Sequence, residues 1–118
     1  MQKIKNVVVV GVSTRAGINA RFLRALETGK PQGAYRSFAS SDELWQTLSP
    51  KRWAILQTMT GAGALALREV ARRLGRDVKG VHTDVHTLLN AGLLDKTEEG
   101  KLIFPFDAVH VDFMLKAA

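Results

Sequence analysis

Residues 67–92 read LREVARRLGRDVKGVHTDVHTLLNAG, and the reading of this stretch decides the fold class. Leu67, Val70, Ala71 and Leu74 recur at i, i+3, i+4 and i+7, the spacing of one apolar stripe on a short helix. Gly75 can supply the left-handed stop, and Asp77 stands where an N-cap would begin the next helix. Val78, Val81, Val85, Leu88 and Leu89 then form a second inward stripe that runs until Gly92. Two amphipathic helices joined by the turn Gly75-Arg76-Asp77 are expected.

Towards the C-terminus, Leu93-Leu94-Asp95-Lys96 and Lys101-Leu102-Ile103-Phe104 flank Glu98-Glu99-Gly100, the signature of a hairpin. After Pro105, Val109, Val111, Phe113 and Leu115 alternate with His110, Asp112 and Met114, which predicts a final strand. Towards the N-terminus, Pro50 to Thr60 predicts a helix with Trp53, Leu56 and either Ile55 or Met59 inward, followed by the turn Gly61-Ala62-Gly63. Ser49-Pro50 is a helix start, serine at the cap and proline in the first turn. Ser40 and Glu43 have capping-box spacing and predict a short helix that buries Leu44, Trp45 and Leu48. Lys3 to Val12 predicts a strand, with Val7 to Val10 continuous as in a strand covered on both faces. Ser13 or Thr14 can cap a helix carrying Ile18, Phe22, Ala25 and Leu26 on one face, ended by Gly29-Lys30-Pro31; Ala34 to Ala39 reads as a short strand. A bare valine strand would be an aggregation hazard, so it should pair with its symmetry mate or with Val109 to Leu115.

The chain has 118 residues, 46% of them hydrophobic, enough for a real core. It has no cysteine, which excludes disulfides, thiolate metal sites and cysteine nucleophiles. The valine run is too short for a signal-peptide core or a membrane span, so a cytoplasmic protein without membrane association is expected. The net charge of +6 favours an anionic partner, and its distribution is informative. Lys51 to Lys79 holds seven basic and two acidic residues, whereas Asp84 to the end holds three basic and six acidic ones.

Helix, helix, three-residue turn, helix and hairpin is the order of a winged helix-turn-helix. In that arrangement a bracing helix supports a second helix that can enter a DNA major groove about 12 Å wide. The expected architecture is α+β. Residues 1–48 would form a strand-helix dimerisation segment, and residues 49–118 a winged helix-turn-helix with a C-terminal strand. Arg68, Arg72 and Arg73 lie on the outward face of the bracing helix, where they can meet phosphates. Core assignment leaves Lys79, Gly80, His82, Thr83, His86, Thr87 and Asn90 on the other faces of the groove helix. The expected DNA-contacting set is Arg68, Arg72, Arg73, Arg76, Lys79, Gly80, His82, Thr83, His86, Thr87 and Lys101.

Sharper chemistries fit less well. His82 and His86 share a helix face, but Thr83 stands where a zinc protease has its glutamate, and groove-facing or solvated histidines are the simpler reading. Val7 to Gly17 has the wrong glycine spacing for a phosphate loop. Ser13 lacks the glycine of a nucleophile elbow. Trp45 and Trp53 could stack on bases, but their helical spacing favours the core. No catalytic residues, no metal and no cofactor are expected.

The stretch from Ser49 to Phe106 resembles the winged-helix domain of MarR-like DNA-binding regulators of prokaryotes. The matching words are Ser49-Pro50-Lys51-Arg52, then Arg68 to Asp77, Val81-His82 with Asp84-Val85, and Ala91-Gly92-Leu93-Leu94. Relatives tend to be basic where Thr83 stands and often where His86 stands. The resemblance implies a transcription regulator that binds double-stranded DNA, and two-fold operators favour a homodimer. Some relatives are antitoxin-like. They imply the alternative of a protein-interaction module that neutralises a toxin-like partner, with DNA binding secondary.

Overall fold

Four successive valines followed by Gly11-Val12 make β1 (Val7–Val12), the middle strand of a three-stranded parallel sheet, between β2 (Ala34–Phe38) and β5 (Ala108–Asp112). The computed structural model describes residues 6–12, 27 and 34–112. After β1 come β2 (Ala34–Phe38), α1 (Ser41–Thr47), α2 (Pro50–Met59), α3 (Leu67–Leu74) and α4 (Val78–Asn90). The hairpin β3 (Asp95–Lys96) and β4 (Leu102–Ile103) precedes β5 (Ala108–Asp112). The protein is thus α+β. Apart from Glu27, which is helical and exposed, the expected helix over residues 14–31, with its cap, lies outside the described residues, as do Phe113 and Leu115.

The two partners expected for the valine strand resolve in favour of the chain itself. Val8 pairs with Val109 and Val10 with Val111 on one side, and with Ala34 and Arg36 on the other. Val8 and Val10 are fully buried, while Val7 and Val9 are half-buried. The start of the β1–β5 pair is clasped by Asn6 and Asp107. The Asn6 backbone N–H donates to Asp107 Oδ2 at 3.0 Å, and Asp107 N–H donates to the Asn6 carbonyl at 2.7 Å. A side-chain bond from Asn6 Nδ2 to the Pro105 carbonyl, at 2.8 Å, completes the clasp. Because β5 returns to β1, one buried cluster runs from Val8 and Val10 through Leu44 and Leu48 to the helices and the hairpin. It crosses the boundary expected at 48/49.

Of α1 to α4, two begin with a side-chain cap. Ser40 caps α1 by accepting from Glu43 N–H at 3.1 Å; Glu43 reaches back to the Ala39 N–H at 3.2 Å, one residue before the cap itself. Ser49 caps α2 by accepting from Arg52 N–H at 3.4 Å, with Pro50 in the first turn. Ala66 gives α3 no side-chain cap. Asp77 occupies the N-cap position of α4, but its carboxylate makes no capping bond, contrary to expectation. Gly75 ends α3 at φ 65°, as a left-handed stop requires.

The inward stripes are largely as read. Ile55, Leu56 and Met59 of α2, Val70 and Ala71 of α3, and Val81, Val85 and Leu88 of α4 are buried, and the three helices pack against one another pairwise. Two assignments need correction. Trp45 is 52% exposed and not part of the core, because Leu44 and Leu48 at i and i+4 take the inner face of α1 and turn Trp45 about 100° away. Val78 is also exposed, since the first turn of α4 projects beyond the packed core.

The hairpin strands are two residues each, shorter than read. Leu102 also exchanges backbone hydrogen bonds with Leu65, at 2.8 Å in both directions, which ties the hairpin to the segment before α3.

Gly92 is held in a second constraint. Its φ is 76°, and a β-carbon there would lie 2.5 Å from Arg36 Nε. Arg36 donates from that nitrogen to the Gly92 carbonyl at 2.9 Å and lies 5.9 Å from the centre of the Phe106 ring. Gly61 has a similar φ of 72° with open space around it. In urea unfolding, Gly61→Ala should cost only the left-handed backbone term, about 1 kcal/mol. Gly92→Ala should cost more, about 2–3 kcal/mol, because Arg36 must also move. Equal losses would show that Arg36 gives way freely.

Candidate functional site

The outward face of α4 follows from its period. With Val81, Val85 and Leu88 directed inward, Lys79, His82, Thr83 and His86 at i, i+3, i+4 and i+7 share the opposite stripe, and all four are exposed. Thr83 Oγ donates to the Lys79 carbonyl and Thr87 Oγ to the Thr83 carbonyl, both at 3.3 Å. These are long bonds, and they leave the lone pairs of Thr83 and its methyl group outward. His82 and His86 place their Nε2 atoms 3.1 Å apart, so one ring donates and the other accepts. Gly80 and Thr87 are half-buried at the margin of the stripe. A β-carbon at Gly80 would meet Arg76 Nη2 at 3.4 Å, an ordinary van der Waals contact.

The cations expected beside this helix behave in three ways. Arg68 is exposed. Arg72 and Arg73 are exposed but share Glu69. Arg72 binds it through two bonds of 2.6 and 2.7 Å, and Arg73 Nε donates at 3.1 Å. The hydrogen bonds from Arg72 and Arg73 lower the Glu69 carboxyl from 4.5 to about 2. Arg76 turns inward. Its Nη2 donates to Asp84 Oδ2 at 2.8 Å, and Asp84 Oδ1 accepts from Arg52 Nε at 3.0 Å. The expected phosphate contact at Arg76 is therefore engaged inside the fold. Its Nη1 is buried without a partner among the described residues. On the hairpin, Lys101 is exposed and lies 4.0 Å from Glu99. Lys96 on β3 is exposed as well, whereas the tip presents Glu98 and Glu99.

Sequence reasoning missed the Arg52–Asp84–Arg76 group. Arg52 also donates from Nη1 to the Gln46 carbonyl at 2.7 Å, so the group joins the end of α1, α2, the α3–α4 turn and α4. The available signal was Asp84 as the one acidic residue of α4, set between the two histidines. Among the described residues no cluster of three or more His, Cys, Asp or Glu side chains could hold a metal ion. Nor is any helix there long and apolar enough to cross a membrane.

The HVO_A0114 family model matches residues 47–111, more than half of the chain, from the end of α1 into β5. No curated protein and no solved structure matches the chain.

Two outcomes test this electrostatic geometry. Asp84 is 14% exposed and Arg52 and Arg76 just over 20%, so Asp84→Ala would leave two shielded guanidiniums without their counter-ion. After discounting for solvent screening, chemical unfolding should show a loss of about 2–3 kcal/mol, and Asp84→Asn a smaller loss. Glu69 has a folded-state pKa below its unfolded one, so its contribution is full above about pH 4.5 and fades as pH falls towards about 2. Glu69→Gln should remove that part of the acid sensitivity. An NMR titration placing the wild-type Glu69 carboxyl near 4.5 would contradict the bidentate geometry.

Proposed function

The chain belongs to the HVO_A0114 family, and from that premise we propose that it is a double-stranded-DNA-binding transcription regulator of winged helix-turn-helix type, acting as a cytoplasmic homodimer. The observation that carries this reading is the two-faced character of α4. One stripe is buried by Val81, Val85 and Leu88, and the other presents four exposed hydrogen-bonding side chains free of negative charge. α3 braces that helix through a left-handed Gly75 turn, and a short hairpin follows it, anchored on Leu65. The resemblance of residues 49–106 to MarR-like domains supports the same reading from the sequence.

In this mechanism α4 lies in the major groove. Lys79 donates to guanine acceptors, Thr83 offers its methyl to thymine or its oxygen to a donor, and His82 and His86 donate or accept according to tautomer. Arg68, Arg72 and Arg73 approach phosphates, the last two by exchanging Glu69 for the backbone anion. Lys96 and Lys101 are the hairpin cations suited to the flanking backbone, since Glu98 and Glu99 at the tip repel it. Arg76 acts from behind by fixing the α3–α4 turn.

Binding-site selection with duplex libraries tests the reader. Wild type should enrich a motif, and Thr83→Ala or Lys79→Ala should relax preference at one or two base pairs, worth about 1–3 kcal/mol for each base read. Arg72→Ala with Arg73→Ala should weaken all duplexes and lower the log-log salt slope by about 0.9 for each phosphate no longer neutralised. An unselective wild type, or variants enriching the wild-type motif unchanged, would remove α4 as the reader.

A further inference from the structure

His82 and His86 are arranged more closely than contacts with separate bases require. They stand four residues apart on α4, both exposed, and their Nε2 atoms lie 3.1 Å from each other. The ring centres are farther apart, at 4.3 Å, so the two rings lean together at those nitrogens. A hydrogen bond accounts for one proton between them. The same separation suits a shared metal ion. An ion bonded to both nitrogens at about 2.05 Å would see them about 98° apart, between the octahedral and the tetrahedral angle. Thr83 in place of the zinc-protease glutamate removes a general base and no ligand, since the two histidines bind the metal in that motif.

We propose that His82 and His86 form a binding site for one divalent transition-metal ion of the nickel-to-zinc class. Both Nε2 lone pairs go to the ion. The ring that donates in the free pair carries its proton on Nδ1 instead, so two neutral imidazoles lose no net proton. The charge around the site selects the kind of ion. Asp84, the one acid of α4, is committed to Arg52 and Arg76, and Lys79 shares the exposed stripe. Without a free carboxylate on this helix, calcium and magnesium lack the hard oxygen ligands they need, whereas imidazole nitrogen suits nickel, copper and zinc. The chain has no cysteine that could take the ion instead. Water fills the remaining positions, so the ion exchanges with solvent and is no structural staple, which would need a closed set of four ligands. An ion seated there occupies the two nitrogens that would otherwise meet base edges, and it adds positive charge to the stripe of Lys79. The site does not depend on that stripe meeting DNA, so it goes beyond the reading above.

Isothermal titration calorimetry of the full chain with nickel chloride and with zinc chloride, in a buffer that does not coordinate metal, tests it. Wild type should bind one ion per chain at this site, and magnesium chloride should give no binding. Holding the second imidazole in place makes its bond to the ion intramolecular, so His82→Ala and His86→Ala should each raise the dissociation constant at least about tenfold. His110→Ala removes the third histidine of the chain, exposed on β5, and should leave the affinity unchanged. Alanine favours helix, so both α4 variants keep their fold, and circular dichroism checks this. In NMR spectra of the wild type, paramagnetic nickel should broaden the ring resonances of His82 and His86 together, ahead of those of His110. A wild type that binds nickel and zinc no more tightly than the two α4 variants, or broadening led by His110, overturns the metal site. Duplex selection with a chelator present judges α4 as the DNA reader separately, so either reading can fail alone.

Discussion

The carboxylate of Asp84 receives Arg52 from α2 and Arg76 from the α3–α4 turn, one on each oxygen. The directional contacts that orient the middle of α4 relative to α2 and the α3–α4 turn meet at this point. Apolar packing of Val81, Val85 and Leu88 sets how near α4 lies to the other helices, but such contacts are non-directional. Hydrogen-bonded charges are directional, and in a shielded place they tolerate little sliding, because any departure from that geometry leaves a guanidinium without its anion. Arg52 extends the constraint to the carbonyl of Gln46, so the end of α1 is held by the same group.

The sheet does for the whole chain what Asp84 does for the helices. β1 is central, and its partners come from residues 34–38 and 108–112, on either side of the helical region in sequence. The last strand must therefore travel back past the hairpin to complete a core begun by the first. Arg36 adds a polar stitch between β2 and the end of α4, through the Gly92 carbonyl. α4 is thus fixed at its middle by Asp84 and at its end by Gly92, while its outward stripe carries no structural duty.

Among the described residues, much of the positive charge is restrained. Arg52 and Arg76 are committed to Asp84, Arg72 and Arg73 to Glu69, and the hairpin lysines flank two glutamates. The Glu69 pairs are exposed and exchange readily with another anion, since surface pairs are worth little in water. The Asp84 pairs are shielded and hold. Net charge of +6 therefore overstates what an anionic partner would meet on this face, and the placement of each acid decides which cations are at its disposal.

The sequence by itself determined the helix order, the Gly75 stop, the two serine caps, the hairpin and the outward stripe of α4. Each is encoded within one or two turns of chain, where periodicity and capping chemistry act locally. It also narrowed the partner of the valine strand to two candidates. The tertiary structure decided between them, because strand pairing joins residues about a hundred positions apart and leaves no local mark. It likewise decided that Arg76 points inward, that Trp45 points outward and that Asp84 holds two arginines. A basic residue in a turn and an apolar one in a helix look alike in sequence whether they face a partner or the core. Only the arrangement of neighbouring helices determines whether an acid waits within hydrogen-bond reach or whether Leu44 and Leu48 have already filled the inner face.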